Sequence, residues 1–148
     1  MTTSTTTKLE AVNVMMTSIG ETPVNTITSA TTTDVSIAIS ILDNVSREVQ
    51  SVGWHFNSDQ DYQLTPNTSN QVELPSNCLR IDTSGASANN DYVERARKLW
   101  DRKKHTYTLT DEIVYVDIVW FLDFTEIPEA AKRYITIRAA RLFQDRML

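Results

Sequence analysis

The feature that most constrains this chain is a long apolar stripe in "TTDVSIAISILDNVSREVQSVG", where Val35, Ala38, Ile39, Leu42, Val45, Val49 and Val52 recur at helical spacing. That period puts them on one side of an α-helix, with Ser36, Ser40, Asp43, Asn44 and Arg47 on the other. Valine and isoleucine are mediocre helix formers, because branching at Cβ restricts χ1. Here the periodicity outweighs the propensity. Thr32 or Thr33 can cap the start, and Asp34 suits the positive end of the helix dipole. Gly53 ends the element. A helix over 33–52 is about 30 Å long, enough to be the spine of a small bundle.

A shorter helix precedes it. From near Thr7, the residues Leu9, Val12, Met15, Met16 and Ile19 share one side. The two methionines read as core filler. Gly20 stands where a left-handed C-terminal cap belongs, and Pro23 follows. Residues 1–7 are Thr-rich, with nothing to bury and little helix preference, and are expected to be disordered.

After Gly53 the period changes. "YQLTP" and "QVELP" read as strands paired around the turn "NTSN", and Leu79 and Ile81 alternate in "CLRID". "TSGASANND" reads as a mobile loop tip. "RKKH" reads as a basic hairpin turn between "YVERARKLWD" and "TYTLT". The last strand, "EIVYVDIVWFLDF", is apolar on both faces except at Asp117, so both faces are expected to be covered. Then "IPEAAKRYITIRAARLFQDRML" returns to helical spacing, with Pro128 suited to its first turn. The expected fold is therefore α+β. A small helical bundle (about 8–53 and 126–148) carries an inserted antiparallel β subdomain (about 54–125), and together they form one domain.

Composition narrows the function. The 148 residues carry a net charge of −5, which argues against non-specific nucleic-acid binding by the whole surface, though not by one local face. The single cysteine, Cys78, excludes an internal disulfide and suits a reducing compartment. "MTTSTTTKLE" has no apolar stretch to serve as a secretory signal. "IVYVDIVWFL" is too short to cross a bilayer as a helix, so no membrane role is expected.

Catalytic chemistry is sparse. Gly20, Gly53 and Gly85 stand too far apart to build a phosphate-cradling loop. His55 and His105 are the only histidines, and no Cys/His cluster has metal spacing. Cys78 has no activating base nearby in sequence. The acid pairs Asp59 with Asp61 and Glu126 with Glu129 could in principle serve a glycosidase, but such pairs occur on most soluble surfaces. No catalytic residue, metal or cofactor is expected. Asp117 interrupts an apolar strand, where a lone charge is costly unless paired, and is the candidate buried charge partner of a base on a neighbouring helix.

Several stretches, in order, resemble tail tubular protein A of short-tailed double-stranded-DNA phages. They are "SIGETPV", "GWHFN", "VELPSNCLRID", "LWDRKKHTYTL" and "VDIVWFLDFTEIPEAAKRYITIRAARLFQDR". The resemblance covers roughly residues 8–147. It implies a helical bundle with an inserted β subdomain and a non-enzymatic role as head-tail adaptor. Copies of such a protein form a dodecameric ring beneath the portal protein and link it to the tail nozzle, a tail tubular protein B-like protein. The genome is ejected through the lumen without specific DNA binding. The implied location is the virion tail or neck, after assembly in the host cytoplasm. Familiar members continue past the position of Leu148 with a further helical segment. The alternative functions weighed from the residues are a virion-associated glycan hydrolase and a nucleic-acid-binding protein.

The last helix is basic in an acidic chain. On a helical wheel Ala131, Ile135, Ala139, Leu142, Phe143 and Met147 share the expected core arc. Arg133, Tyr134, Ile137, Arg138 and Arg141 share the opposite arc. Arginine and tyrosine are enriched at interfaces, so these five residues are the candidate subunit or portal interface. A solvated face with intramolecular ion pairs and a DNA-contacting face are the other readings. Lys132 and Arg146 lie nearer the core arc, placed to snorkel from its edge or to pair with Asp117.

Overall fold

The computed structural model describes residues 4–28 and 32–148. Three helices and five strands appear in the order α1 (Lys8–Ser18), α2 (Thr33–Gln50), β1 (Ser58–Leu64), β2 (Cys78–Thr83), β3 (Tyr92–Arg95), β4 (Lys98–Asp101), β5 (Val114–Trp120) and α3 (Glu129–Met147). This is the α+β architecture expected, with strands between helices. The chain divides into two compact units, one built from Met1–Val49 and Leu122–Leu148, the other from Gln50–Phe121.

The first unit is helical. Thr7 caps α1, its hydroxyl accepting the Glu10 N–H at 3.1 Å. Ala11, Val12, Met15 and Met16 form the buried face, and α1 packs along α3. The end of α1 is a Schellman cap: Glu21 N–H donates to Met16 O at 3.0 Å, and Gly20 N–H donates to Thr17 O at 3.1 Å. Gly20 holds φ +84°, which costs a glycine nothing. In α2, Val35, Ala38, Leu42, Val45 and Val49 are buried, and the Thr32 hydroxyl accepts the Val35 N–H at 3.3 Å. Val52 lies past the helix end and is exposed. Two ion pairs tie α2 to its neighbours, Lys8–Asp43 at 2.9 Å and Arg138–Glu48 at 2.6 Å.

Of the stretch 1–7 expected to be disordered, residues 1–3 lie outside the described residues. Thr5, Thr6 and Thr7 each make a hydrogen bond within this unit, to Lys132, Glu129 and Glu10 respectively.

The second unit holds an antiparallel sheet in the order β1-β5-β2 and a separate hairpin, β3-β4. Val114, Val116 and Ile118 of β5 enter a core with Leu64, Val72, Leu74, Cys78, Leu99 and Leu109. Three strand-level expectations are corrected. The turn at Asn67 forms, with Asn67 N–H donating to Gln71 O at 2.8 Å, but its two flanks do not pair. β1 pairs with β5, and residues 72–74 bond to the hairpin through Leu99 N–H to Val72 O and Leu74 N–H to Arg97 O, both at 3.0 Å. The "RKKH" turn forms as expected, Asp101 bridging to Thr106 across it, but its flank "YVERARKLWD" is itself a hairpin, whose β3-β4 turn is Ala96-Arg97, both with positive φ (+54° and +61°). That backbone suits a two-residue hairpin, yet it lacks the Asn-Gly or Asp-Gly signature by which such a turn is read. The loop after β2 is not a free tip: Ser84 N–H donates to Tyr115 O at 2.9 Å, and the buried Ser87 hydroxyl accepts the Tyr115 N–H at 3.0 Å.

Candidate functional site

The candidate face belongs to α3, so its geometry begins at the helix start. Pro128 occupies the N-cap, where it needs no N–H. With no side-chain cap on Pro128, Glu129 supplies negative charge in the first turn. Its carboxylate accepts both the Thr6 N–H, at 2.9 Å, and the Thr6 hydroxyl. The Thr6 hydroxyl and then its N–H hold the Glu129 carboxyl below its ordinary value.

The buried side of α3 comprises Lys132, Ile135, Thr136, Ala139 and Phe143. It keeps Ile135, Ala139 and Phe143 of the expected core arc, while Ala131 and Met147 are half-buried, Leu142 is out, and Lys132 and Thr136 come in. Leu142 is 44% exposed, while Lys132, placed at the edge of the arc by its charge, is only 4% exposed. The lysine stem supplies apolar surface, and its ammonium finds local partners. Nζ donates to the Thr5 hydroxyl at 3.3 Å and lies 5.8 Å from the centre of the Phe124 ring. The Thr136 hydroxyl donates to Lys132 O at 2.7 Å, which lets a second polar side chain enter the core.

The opposite side carries all five interface candidates. Tyr134 and Ile137 are 54% and 49% exposed, and Arg133 and Arg141 are exposed. Arg138 differs from the other arginines. It bridges to Glu48 at 2.6 Å and donates to the Tyr134 hydroxyl at 3.5 Å. That hydroxyl, and then the Glu48 charge, raise the Arg138 pKa further. Among the described residues, neither Arg133 nor Arg141 has an ion-pair or hydrogen-bond partner. Val14 of α1, 47% exposed, joins Ile137, Arg133, Thr6, Glu10 and Thr136 around one open depression. Val14 was not read from the sequence as part of this face. Its signal was available, since it falls outside the apolar stripe of α1 while remaining aliphatic.

Asp117 is corrected as a buried charge. It is exposed, because it lies on the face of β5 opposite Val116 and Ile118. Its carboxylate accepts the Asp61 N–H at 3.2 Å, and across the strands it faces Asp82. β5 is therefore covered on its Val116 face and open at Asp117. Lys132, expected at the edge of the core arc, is held within its own unit by Thr5 and Phe124.

Other chemistry-bearing groups read quietly. Burial pushes the Cys78 thiol up and the Glu94 charge adds to it, with Arg97 opposing, so a thiolate is disfavoured. His55 and His105 are exposed. Among the described residues, no group of three or more His, Cys, Asp or Glu side chains could hold a metal ion, and no helix is long and apolar enough to cross a membrane.

A protein-family model described as Tube: Tail tubular protein matches residues 9–148. No curated protein matches the chain.

Proposed function

The chain belongs to the tail tubular protein family, structural proteins of phage tails, and we propose that within the virion tail it is the adaptor that joins the portal protein to the tail nozzle. In this reading, copies assemble in the host cytoplasm into a dodecameric ring whose lumen forms part of the ejection channel. DNA passes through it without specific binding.

The observation that carries the proposal is the exposed face of α3. Among the described residues, Arg133 and Arg141 make no ion pair or hydrogen bond, Arg133 only feeling the Glu129 charge one turn away, and they stand beside half-exposed Tyr134, Ile137 and Val14. A surface that is merely solvated gains nothing by exposing an aromatic and two aliphatic side chains together. An interface uses such groups as anchors and pairs the arginines with carboxylates. Arg138, already tied to Glu48, holds the edge of the same face.

Arg141→Glu tests this. The fold should be nearly unaffected, because exposed substitutions usually change stability by less than about 0.5 kcal/mol. Assembly should fail, because reversing one member of a buried interfacial charge pair costs about 2–5 kcal/mol or more. A circular-dichroism melt beside an assembly assay with portal-bearing particles reads both. A variant that melts normally and still joins the particles would show the face to be only solvated.

A further inference from the structure

A second basic region lies away from α3. Six of the 14 lysines and arginines fall between Arg95 and Lys104. With Asp101 as the single acid, residues 95–105 carry +5 when His105 is neutral, so the rest of the −5 chain carries −10. Most of these bases are already engaged. Arg97 bonds to Glu94 at 3.2 Å and to Cys78 O at 3.0 Å. Arg102 pairs with Asp91 at 3.6 Å, and Lys98 donates to Gln71 at 3.0 Å. Arg95 lies 4.4 Å from the centre of the Trp100 ring, which in turn packs edge-on against Tyr107. Lys103 and Lys104 are different. Their backbone N–H groups donate to Asp101 Oδ1 at 2.9 and 3.2 Å, while their exposed ammonium groups have no partner among the described residues. His105 N–H closes the turn onto Asp101 O at 2.8 Å. The turn is thus preformed, which lowers the ordering cost of binding.

We propose that the turn Arg102–His105 docks, head to tail, on acidic surface of a second copy of this chain, with Lys103 and Lys104 as the contacting cations. The proposal rests on the reading above that copies assemble with one another, and it concerns a surface separate from α3. Charge complementarity selects the occupant, since the same chain supplies both a +5 turn region and a −10 remainder. Such a contact is heterologous, the kind that builds rings or filaments rather than closed pairs. Duplex DNA fits less well. Two free ammonium groups are few beside the roughly 6–10 phosphate contacts of a protein that grips duplex, and the remaining −10 repels a polyanion.

The test mixes natural-abundance and heavy-isotope full-length chain at low salt and applies a zero-length carbodiimide cross-linker. Mass spectrometry should find hybrid-isotope peptides joining Lys103 or Lys104 to a carboxylate of the other copy. Their yield should fall roughly tenfold in high salt, where screening shortens the reach of exposed charges. Lys103→Ala/Lys104→Ala should abolish hybrid peptides from this turn and weaken association. Thr68→Glu/Ser76→Glu, which changes net charge equally at exposed positions elsewhere, should leave them in place. Absence of hybrid peptides overturns the proposal, as does retardation of duplex DNA that the double alanine variant loses. Failure of the adaptor reading is seen separately, as absence of the chain from purified virion tails.

Discussion

The two faces of α3 invert what composition alone suggests. The buried face contains a lysine and a threonine, whereas the exposed face contains Tyr134, Ile137 and Leu142. The inside tolerates polarity because each polar group is satisfied: Lys132 by Thr5 and Phe124, Thr136 by a backbone carbonyl. The outside holds apolar side chains and, in Arg133 and Arg141, two guanidinium groups that make no ion pair or hydrogen bond among the described residues. Burial follows the availability of partners, not charge. A face that keeps apolar and cationic groups unpartnered is one that an external partner can complete.

The contrast can be broken from the buried side first. Phe143 is fully buried, and Phe143→Ala should cost about 3–5 kcal/mol through lost transfer energy and the cavity left behind. Denaturant titration with an unchanged slope would read that loss; a change under about 1 kcal/mol would mean that this face is loosely packed. A smaller effect is expected at Lys132. Lys132→Ala should cost about 1–3 kcal/mol from the buried stem and the ring contact. Lys132→Met keeps the stem and should cost less. If Met is as damaging as Ala, the ammonium rather than the stem secures the site.

The smallest effect is a pH dependence at the helix start. Glu129 is held below its ordinary pKa of 4.5 by the Thr6 hydroxyl and then by the Thr6 N–H. A carboxyl depressed in the folded state contributes stability that is fully present above about 4.5 and is lost as pH falls through the folded value. Glu129→Gln should therefore flatten the acid limb of a melting-temperature profile below about pH 4.5. An unchanged limb would detach Glu129 from the stability of this end.

How much was legible follows from the range of each signal. The helices were readable because their stripes and caps are local: Thr7, Gly20 and the Val35–Val49 stripe each act within a few residues. The strand partners were not. β1 exposes nearly every side chain, so nothing in its own pattern names β5 as its partner, and the visible Asn67 turn suggested a neighbour instead. The Ala96-Arg97 turn carries no glycine or asparagine to announce it. Five of the site residues were legible as the arc opposite the core. Val14 could be seen as an aliphatic residue off the α1 stripe, but its place beside Ile137, like the engagement of Arg138 by Glu48, depends on which helix lies alongside. Asp117 was misplaced because its strand looked apolar on both faces; the Val116 face enters the core, and on the other face Val119 is buried while Asp117 between Tyr115 and Val119 stays exposed.

Hydroxyl-radical footprinting of Tyr134 and Ile137, in the free chain and in intact virions, tests most directly whether the exposed face of α3 is covered in the tail. Both side chains should be oxidised readily in the free chain, where they are about half exposed, and protected several-fold in the particle. Equal oxidation in the two states would contradict an interface on α3.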